Sequence, residues 1–465
     1  MQTLQADVVI IGAGTAGLAA YRAVISAGKV PLMIEGGAYG TTCARVGCMP
    51  SKLLIAAAEA AHAVHQSAAF GVHVNGAVHI DGREVMARVK RERDRFVGFV
   101  LESVNNIPAE HKLRGYARLK ASGVLVVDHH TEVHAKSIVI ATGSSPSVPP
   151  SFKDLGDRLV VNDDVFSWDD LPKRVAVFGP GVIGLELGQA LARLGVTVRI
   201  FGVRGSLAGM SDPDVRQVAK NIFQQEFHLD TDADVLETKR VGDEVEIRYV
   251  ARDKTEKTER FDYALVATGR KPNLDALDLE QAGVVLQSGG VPAFNRETMQ
   301  IGNLPIFIAG DVNGDVPLLH EAADEGKIAG KNAASYPTVR PGLRRAGLSV
   351  VFSDPQIALV GQTFAKLAPG SFVTGKVDFK VQGRARIILK NQGLLHVYVE
   401  QTTRKFLGAE MIGPCAEHIG HLLAWSLQQA LTVDRMLEMP FYHPVIEEGL
   451  RTALKDARSK LVPLP

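Results

Sequence analysis

The chain has 465 residues, enough for about two to four domains with sizeable cores. Its 52 basic residues almost cancel its 51 acidic ones, and a net charge of +1 leaves no electrostatic footprint for nucleic acid or an anionic membrane surface. Apolar runs fall far short of the ~20 residues a membrane span needs, MQTLQADVVIIGAG lacks the layout of a signal peptide, and three cysteines make no secreted disulfide framework, so a cytoplasmic location is expected.

Residues 7–11, DVVII, predict a short buried strand. GAGTAG at 12–17 and an alanine-rich helical stretch follow, and a second strand, VPLMIE, ends at Glu35, 23 positions after Gly12. Strand, G-x-G-x-x-G, helix and a later acid together form a dinucleotide fingerprint. Gly12 permits the tight turn, Gly14 lets a pyrophosphate reach the backbone, and Gly17 lets the helix pack on the sheet. Glu35 is placed to accept hydrogen bonds from a ribose.

Residues 40–52 read GTTCARVGCMPSK, with Cys43 and Cys48 five positions apart. On a regular helix that separation puts the Cα atoms ~8.5 Å apart, whereas a disulfide needs less than ~7 Å. The two cannot share an undistorted helix and still bridge. Cys43 is therefore expected in the loop or a distorted first turn, and Cys48 near the helix start, where the dipole favours a thiolate. Two such thiols beside a nucleotide turn suggest a redox-active disulfide. Structural thiols or half a metal site are the alternatives, but zinc needs about four ligands and none follow at finger spacing, so no metal is expected.

Helices are expected over 53–69 and, charged and exposed, over 83–105. Strands follow at 114–140, ending in IVIATGSSP, and SSPSVPPSF at 144–152 reads as a linker. The plan then repeats. RVAVFGPGVIGLELG at 174–188 is a second strand–turn–helix with Gly179, Gly181 and Gly184, VTVRIF is the next strand, and LVATGRKPN at 265–273 echoes ATGSSP. Two nucleotide folds suggest two nucleotides. The spacing that leads to Glu35 leads here to Gly202, with Arg199 and Arg204 nearby. An acid at that point suits NAD and arginines suit NADP; retention of Gly184 favours NAD, and NADP stays open.

LPIFIAGDV at 304–312 is a further strand ending in Gly-Asp. Beyond 346, LSVVFSD, IALVG, ARIILK, LLHVYVE and KFLGAEMIG read as strands, followed by a helix at 415–431, FYHPVIEE at 441–448 and a final helix. This is an α+β domain without a nucleotide signature.

With GAGTAG, GTTCARVGCMPSK, ATGSSP, GPGVIGLELG, ATGRKPN, IFIAGD, VFSDPQIALVG and HPVIEE in this order, the chain resembles the pyridine nucleotide–disulfide oxidoreductases, most of all their dihydrolipoyl dehydrogenase branch. The resemblance implies an α/β fold of two Rossmann-like domains, glutathione reductase-like, plus an α+β dimerisation domain. It divides the chain into an FAD domain at 1–150, an NAD(P) domain at 151–275, a central segment at 276–345 completing the FAD domain, and a dimerisation domain at 346–465. Cys48 would be the flavin-proximal thiolate and Cys43 the sulfur that exchanges with substrate. His443 matches the catalytic base and Glu448 the carboxylate that orients it, both acting across a homodimer; Val445 stands where the family usually has threonine.

Lys52 and Glu186 resemble the ion pair beside the flavin ring, and Asp311 the acid on its ribityl or phosphate region. Thr142, Gly143 and Gly269 belong to the ATG segments expected to line the cofactors. Cys415 matches no family role and reads as a packing thiol. The implied activity is electron transfer between dihydrolipoamide, a Cys43–Cys48 disulfide, FAD and NAD⁺. The substrate is a small dithiol or disulfide, or the lipoyl domain of a 2-oxo acid dehydrogenase complex. An NADPH-dependent reductase of a glutathione-type disulfide is the alternative, and a redox-sensing flavoprotein without turnover the alternative of another class. The ending KLVPLP carries neither the cysteine pair of a mercuric reductase nor the redox tail of a large thioredoxin reductase.

Overall fold

The computed structural model describes residues 2–251 and 253–462; the last three residues of KLVPLP lie outside them. Two compact units result. One contains the chain up to Pro50, Arg88–Ser147 and Gly269–Arg344, and the other Ser51–Ala87, Val148–Thr268 and the chain from Arg345 onward.

In the first unit the strand Gln2–Ile11 is longer than the apolar run DVVII alone suggests, because its polar start pairs with Thr131–Ala135. Pro31–Glu35 and Thr131–Ile140 flank it in parallel, Lys112–Arg114 extends one edge, and Ile306–Ile308 pairs in parallel with Thr131–Ile140. The antiparallel strands Val124–Val127 and Ala117–Ala121 complete a seven-stranded sheet. On one face the helix Thr15–Ser26 packs against Leu319–Ser335 at very short range. A Cβ at Gly326 would lie 2.2 Å from the carbonyl oxygen of Ala16, and one at Gly330 2.5 Å from that of Ala20. Val8, Ile10, Val24, Phe307 and Ala329 fill the core beneath.

The second unit holds another parallel sheet, ordered His228–Asp230, Thr197–Phe201, Arg174–Phe178, Tyr263–Val266 and Leu159–Val160. A three-stranded antiparallel sheet spans Asp234–Val241, Glu244–Val250 and Glu256–Phe261. The C-terminal part is a five-stranded antiparallel sheet covered by the helices Ala416–Gln428 and Glu448–Lys460, with Phe379, Leu395, Val397, Met411 and Leu454 fully buried. The α/β class with two dinucleotide-type folds and an α+β C-terminal portion is what the sequence implied.

Two expectations need correction. ARIILK is not a strand: Gly383–Ile387 is a short helix whose first turn is capped by Gln382, Oε1 accepting from the Ala385 N–H at 2.6 Å. The fifth strand is instead Phe372–Asp378, whose only internal punctuation is Gly375, where the helix Glu448–Lys460 approaches too closely for a side chain. The linker reading of 144–152 also fails at its start. Ser144–Pro146 pairs antiparallel with Arg270–Pro272, so the two ATG segments are joined as one ribbon. Among the described residues no helix is long and apolar enough to cross a membrane.

Candidate active site

The first nucleotide turn is built from close backbone approaches. Gly12 has φ +108°, and a Cβ there would lie 2.3 Å from the Ala141 carbonyl oxygen. A Cβ on Gly17 would lie 1.9 Å from the carbonyl of Gly12, while Gly14 faces open space. Gly14 begins the helix Thr15–Ser26 without a side-chain cap, so its first N–H groups and the positive end of the dipole remain available to an anion. Glu35 is fixed at the end of its strand by the N–H groups of Ala13 and Gly37, which donate to its two carboxylate oxygens at 2.8 and 2.7 Å.

The ribbon between the ATG segments leads to Asp311. Ser144 Oγ donates to Asp311 Oδ2 at 2.9 Å and accepts from Arg270 Nε at 2.8 Å. Thr142 Oγ1 donates to the Asn273 carbonyl at 2.7 Å, and Gly143 takes φ +67° between them. The turn before Asp311 is held from beneath by Glu325, fully buried, which accepts from the Gly310 N–H at 2.8 Å and from Asn313 at 2.7 Å. Arg344 pairs with Glu325 at 2.7 Å and with Glu321 at 2.9 Å. Burial pushes the Glu325 carboxyl up despite these partners.

Cys43 lies in a five-residue helix, Thr42–Val46, capped by Thr41, and Cys48 opens the next helix, Cys48–Gln66. The break between them is Gly47, where a Cβ would sit 3.1 Å from the Thr42 carbonyl and 3.2 Å from Cys43 Cα. The expected distortion is thus a break between two helices rather than a loop. Both cysteines are free thiols, Cys43 half-buried and Cys48 exposed. Their side chains are hydrogen-bonded to each other, and the Cys43 sulfur also accepts from the N–H groups of Cys48 and Met49. The contact with Cys48, and then burial, push the Cys43 thiol far above its ordinary value. The pair therefore loses one proton much more readily than two.

One helical turn after Cys48, Lys52 Nζ lies 2.7 Å from Glu186 Oε2, with the lysine side chain 33% exposed and the glutamate 5%. The other carboxylate oxygen accepts from the Phe352 N–H at 2.9 Å, and the Phe352 ring centroid lies 4.5 Å from Nζ. Near the C-terminus, Glu448 faces His443 Nδ1 at 3.1 and 3.0 Å and accepts from the Val445 N–H at 3.3 Å. The His443 hydrogen bond, and next that of Val445, hold the Glu448 carboxyl below its usual range. The departure at Val445 leaves this geometry untouched, since only its backbone takes part. The His443 side chain is 80% exposed.

The second turn repeats the first. Gly179 has φ +104° and would meet the Ala267 carbonyl at 2.5 Å, Gly184 would meet the Gly179 carbonyl at 1.9 Å, and Gly181 is open and uncapped. The position that corresponds to Glu35 differs. A Cβ on Gly202 would lie 2.6 Å from Pro180 Cγ and 3.1 Å from Thr231 Cα, so no carboxylate can stand there. Arg199 is paired with Glu259, while Arg204 is exposed, its N–H donating to Asp232 at 2.9 Å. Gly269 has φ +129° where the chain enters the ATG ribbon. Cys415 is half-buried at the N-cap of Ala416–Gln428, packed on the C-terminal core, and burial raises its thiol. Among the described residues one group, Asp212, Asp214 and His396, has ligand-type atoms close together, but Asp212 is already engaged by His396, Tyr398 and two backbone N–H groups.

Residues 6–326 match the pyridine nucleotide-disulphide oxidoreductase family, and residues 348–454 match its dimerisation domain. The chain belongs to this family. Dihydrolipoyl dehydrogenase from Chlamydia pneumoniae is 30% identical over 454 residues, covering 96% of this chain and 95% of that one. In fold, LpdA from Mycobacterium tuberculosis superposes with a TM-score of 0.82 at 24% identity, over 98% of this chain and 99% of that one. The HOCl-induced flavoprotein disulfide reductase RclA from Escherichia coli gives 0.80 at 22% identity, over 98% and 100%.

This member of the pyridine nucleotide-disulphide oxidoreductases is an FAD-containing enzyme that uses a pyridine nucleotide and forms a homodimer. Its residues fit the two cofactors: each fold carries an uncapped helix N-terminus over a glycine cradle that a Cβ would fill. Sequence reasoning missed Phe352, Ser144 with Arg270, and Glu325 with Arg344. It also missed Gln189 and Arg193, which share a helix face with Glu186. Polar residues three and seven positions after an expected ion-pair partner, in an otherwise apolar helix, were the available signal.

Proposed function

We propose that the protein oxidises dihydrolipoamide with NAD⁺, passing the electrons through a Cys43–Cys48 disulfide and FAD. The observation that carries this reading is the thiol pair, two sulfurs in hydrogen-bond contact across Gly47, with the first N–H groups of a helix on one of them. A substrate thiolate attacks the Cys43 sulfur; the Cys43–Cys48 bond breaks and Cys48 leaves as thiolate. The second substrate sulfur then attacks the first, closing the substrate disulfide and releasing Cys43.

Two protons accompany the two electrons. His443 takes one at Nε2, because Glu448 at Nδ1 fixes the tautomer and stabilises the imidazolium. Cys43 keeps the other, as a thiolate at Cys48 favours a protonated neighbour. Bound FAD links thiol exchange to hydride transfer, since flavin takes an electron pair from a thiolate and delivers it to NAD⁺ as hydride.

The glycine turns at Gly12, Gly14 and Gly17 and at Gly179, Gly181 and Gly184 hold the two pyrophosphates in this reading, with Glu35 on the FAD ribose. Thr142, Gly143, Gly269 and Asp311 lie along the cofactors, and Lys52 with Glu186 beside the flavin ring. The division at 150, 275 and 345, a cytoplasmic location, His443 acting across the dimer, and a lipoyl domain as larger substrate belong to the same proposal. The test is Cys48→Ser: dihydrolipoamide turnover should vanish while FAD stays bound, and normal turnover would refute the relay. A second reading, an NADPH-dependent reductase of a small disulfide, is supported by Gly202 and the exposed Arg204. Initial rates of NAD⁺ and NADP⁺ reduction by dihydrolipoamide separate the two.

A further inference from the structure

Lys52 is gripped by more than its carboxylate partner. A lysine ammonium on a four-carbon stem has three donors and, with one anion beside it, keeps considerable rotational freedom. Here Phe352 restrains both members of the pair. Its N–H occupies the second oxygen of Glu186 at 2.9 Å, so the carboxylate cannot swing, and its ring face lies 4.5 Å from the ammonium. That distance is well inside the ~6 Å over which a ring quadrupole attracts a cation.

Phe352 is itself stapled in register. Two residues on, the Asp354 N–H donates to Gln189 Oε1 at 2.8 Å and its carbonyl accepts from Gln189 Nε2 at 2.7 Å. Arg193, with 6% of its side chain exposed, reaches the Asp354 carboxylate at 3.1 Å and is anchored in turn by Glu226 at 2.5 Å. Glu186, Gln189 and Arg193 lie on one face of the helix Val182–Arg193, so one rigid element holds the carboxylate and the backbone that carries the ring.

We infer that Phe352 is a positioning residue for the Lys52 ammonium, holding its charge at one fixed point through the ring face and the backbone bond to Glu186. The inference rests on the reading that Lys52 lies beside the flavin. A positive charge held there favours the electron-rich, reduced cofactor, and loosening it disfavours reduction. Replacing the ring by an aliphatic group of similar bulk should change the reduction equilibrium about three- to tenfold, from the strength of such contacts. Tenfold corresponds to about 30 mV for a two-electron couple.

The experiment measures the midpoint potential of the bound flavin in the dimeric holoenzyme, by equilibration with a reference dye, for wild type, Phe352→Leu, Phe352→Tyr, Lys52→Met and the Phe352→Leu/Lys52→Met double variant. Phe352→Leu should lower the potential, Phe352→Tyr should restore it, and Lys52→Met should lower it further. In the Lys52→Met background, Phe352→Leu should have no additional effect, because the ring acts through the ammonium. An undiminished leucine effect in that background, or no leucine effect while Lys52→Met shifts the potential, overturns the inference. No shift in Lys52→Met overturns the flavin-side reading, and the inference falls with it. Should Phe352→Leu not fold, difluorophenylalanine at 352 keeps the shape and weakens the ring face; an unchanged potential there is equally fatal.

Discussion

Gly330→Ala should destabilise the protein, although the same exchange in a helix normally stabilises it. The position lies inside the helix Leu319–Ser335, where alanine is favoured over glycine by about 1 kcal/mol. The new Cβ, however, would sit 2.5 Å from the carbonyl oxygen of Ala20 and 2.8 and 3.0 Å from its Cα and carbonyl carbon. All three are backbone atoms of the helix Thr15–Ser26, so no rotamer change relieves the clash and the two helices must separate. Overpacking costs about 1–3 kcal/mol, and an obstacle made of backbone rather than side chain places this case at the upper end.

The net effect is then about 2 kcal/mol of destabilisation, a fall in Tm of about 2 °C at about 1 °C per kcal/mol for a chain of 465 residues. Gly98→Ala is the internal control: it lies in the helix Gly82–Asn105 with nothing within 4 Å of the added carbon. There the propensity term acts alone and Tm should rise by about 1 °C. Differential scanning calorimetry of both variants, loaded with FAD, reads the contrast. A Gly330→Ala protein that melts at or above the wild-type temperature would refute the close-packing argument.

Three further outcomes are expected. Arg193→Met should destabilise by about 3 kcal/mol in urea unfolding, the lower end for a buried pair, because it removes the cation that bridges Glu226 and Asp354 and leaves Asp354 only the more distant, half-exposed Lys390; a loss below about 1 kcal/mol would show the cluster to be solvated. Burial works against ionisation of Asp212, but the hydrogen bond and charge of His396, with the Val215 N–H and Tyr398 hydroxyl, hold its carboxyl below the usual range. A depressed carboxylate contributes stability above its ordinary pKa and loses it as pH falls through the folded value. Asp212→Asn should therefore flatten the acid limb of the stability–pH profile, and an unchanged limb would contradict this. Gly202→Glu should lower Tm without tightening NADH in fluorescence titrations, since Pro180 and Thr231 already occupy the space a side chain needs; tighter NADH binding would mean that the turn adapts.

Much of the architecture could be read from local pattern. The strand–glycine–helix signals at 7–26 and 174–193 depend on contacts between near neighbours in sequence, and both folds formed there. The break between Cys43 and Cys48 followed from helix geometry once the two sulfurs were required to bridge, although a second short helix in place of a loop or distorted turn was not foreseen. What was illegible depends on distant partners. Ser144 meets Arg270 across an intervening fold, Lys52 meets Phe352 from 300 positions away, and nothing local marks either pair. ARIILK misled because its apolar residues suggest a strand, while the cap from Gln382 that turns it into a helix is a single side-chain bond. Gly202 was recognised as a missing acid, but that the backbone closes the site to any side chain emerged only in three dimensions.

The ribbon of Ser144–Pro146 and Arg270–Pro272 closes with the Ser147 N–H donating to the Gly269 carbonyl at 2.9 Å. The chain therefore leaves the first unit and returns to it through adjacent residues, as it would through a hairpin. Seen from that unit, everything between Ser147 and Gly269 is a loop whose two ends are already clasped, so its length adds only slowly to the entropy of closure. Such a gateway lets the intervening stretch change in length while the host sheet keeps its register.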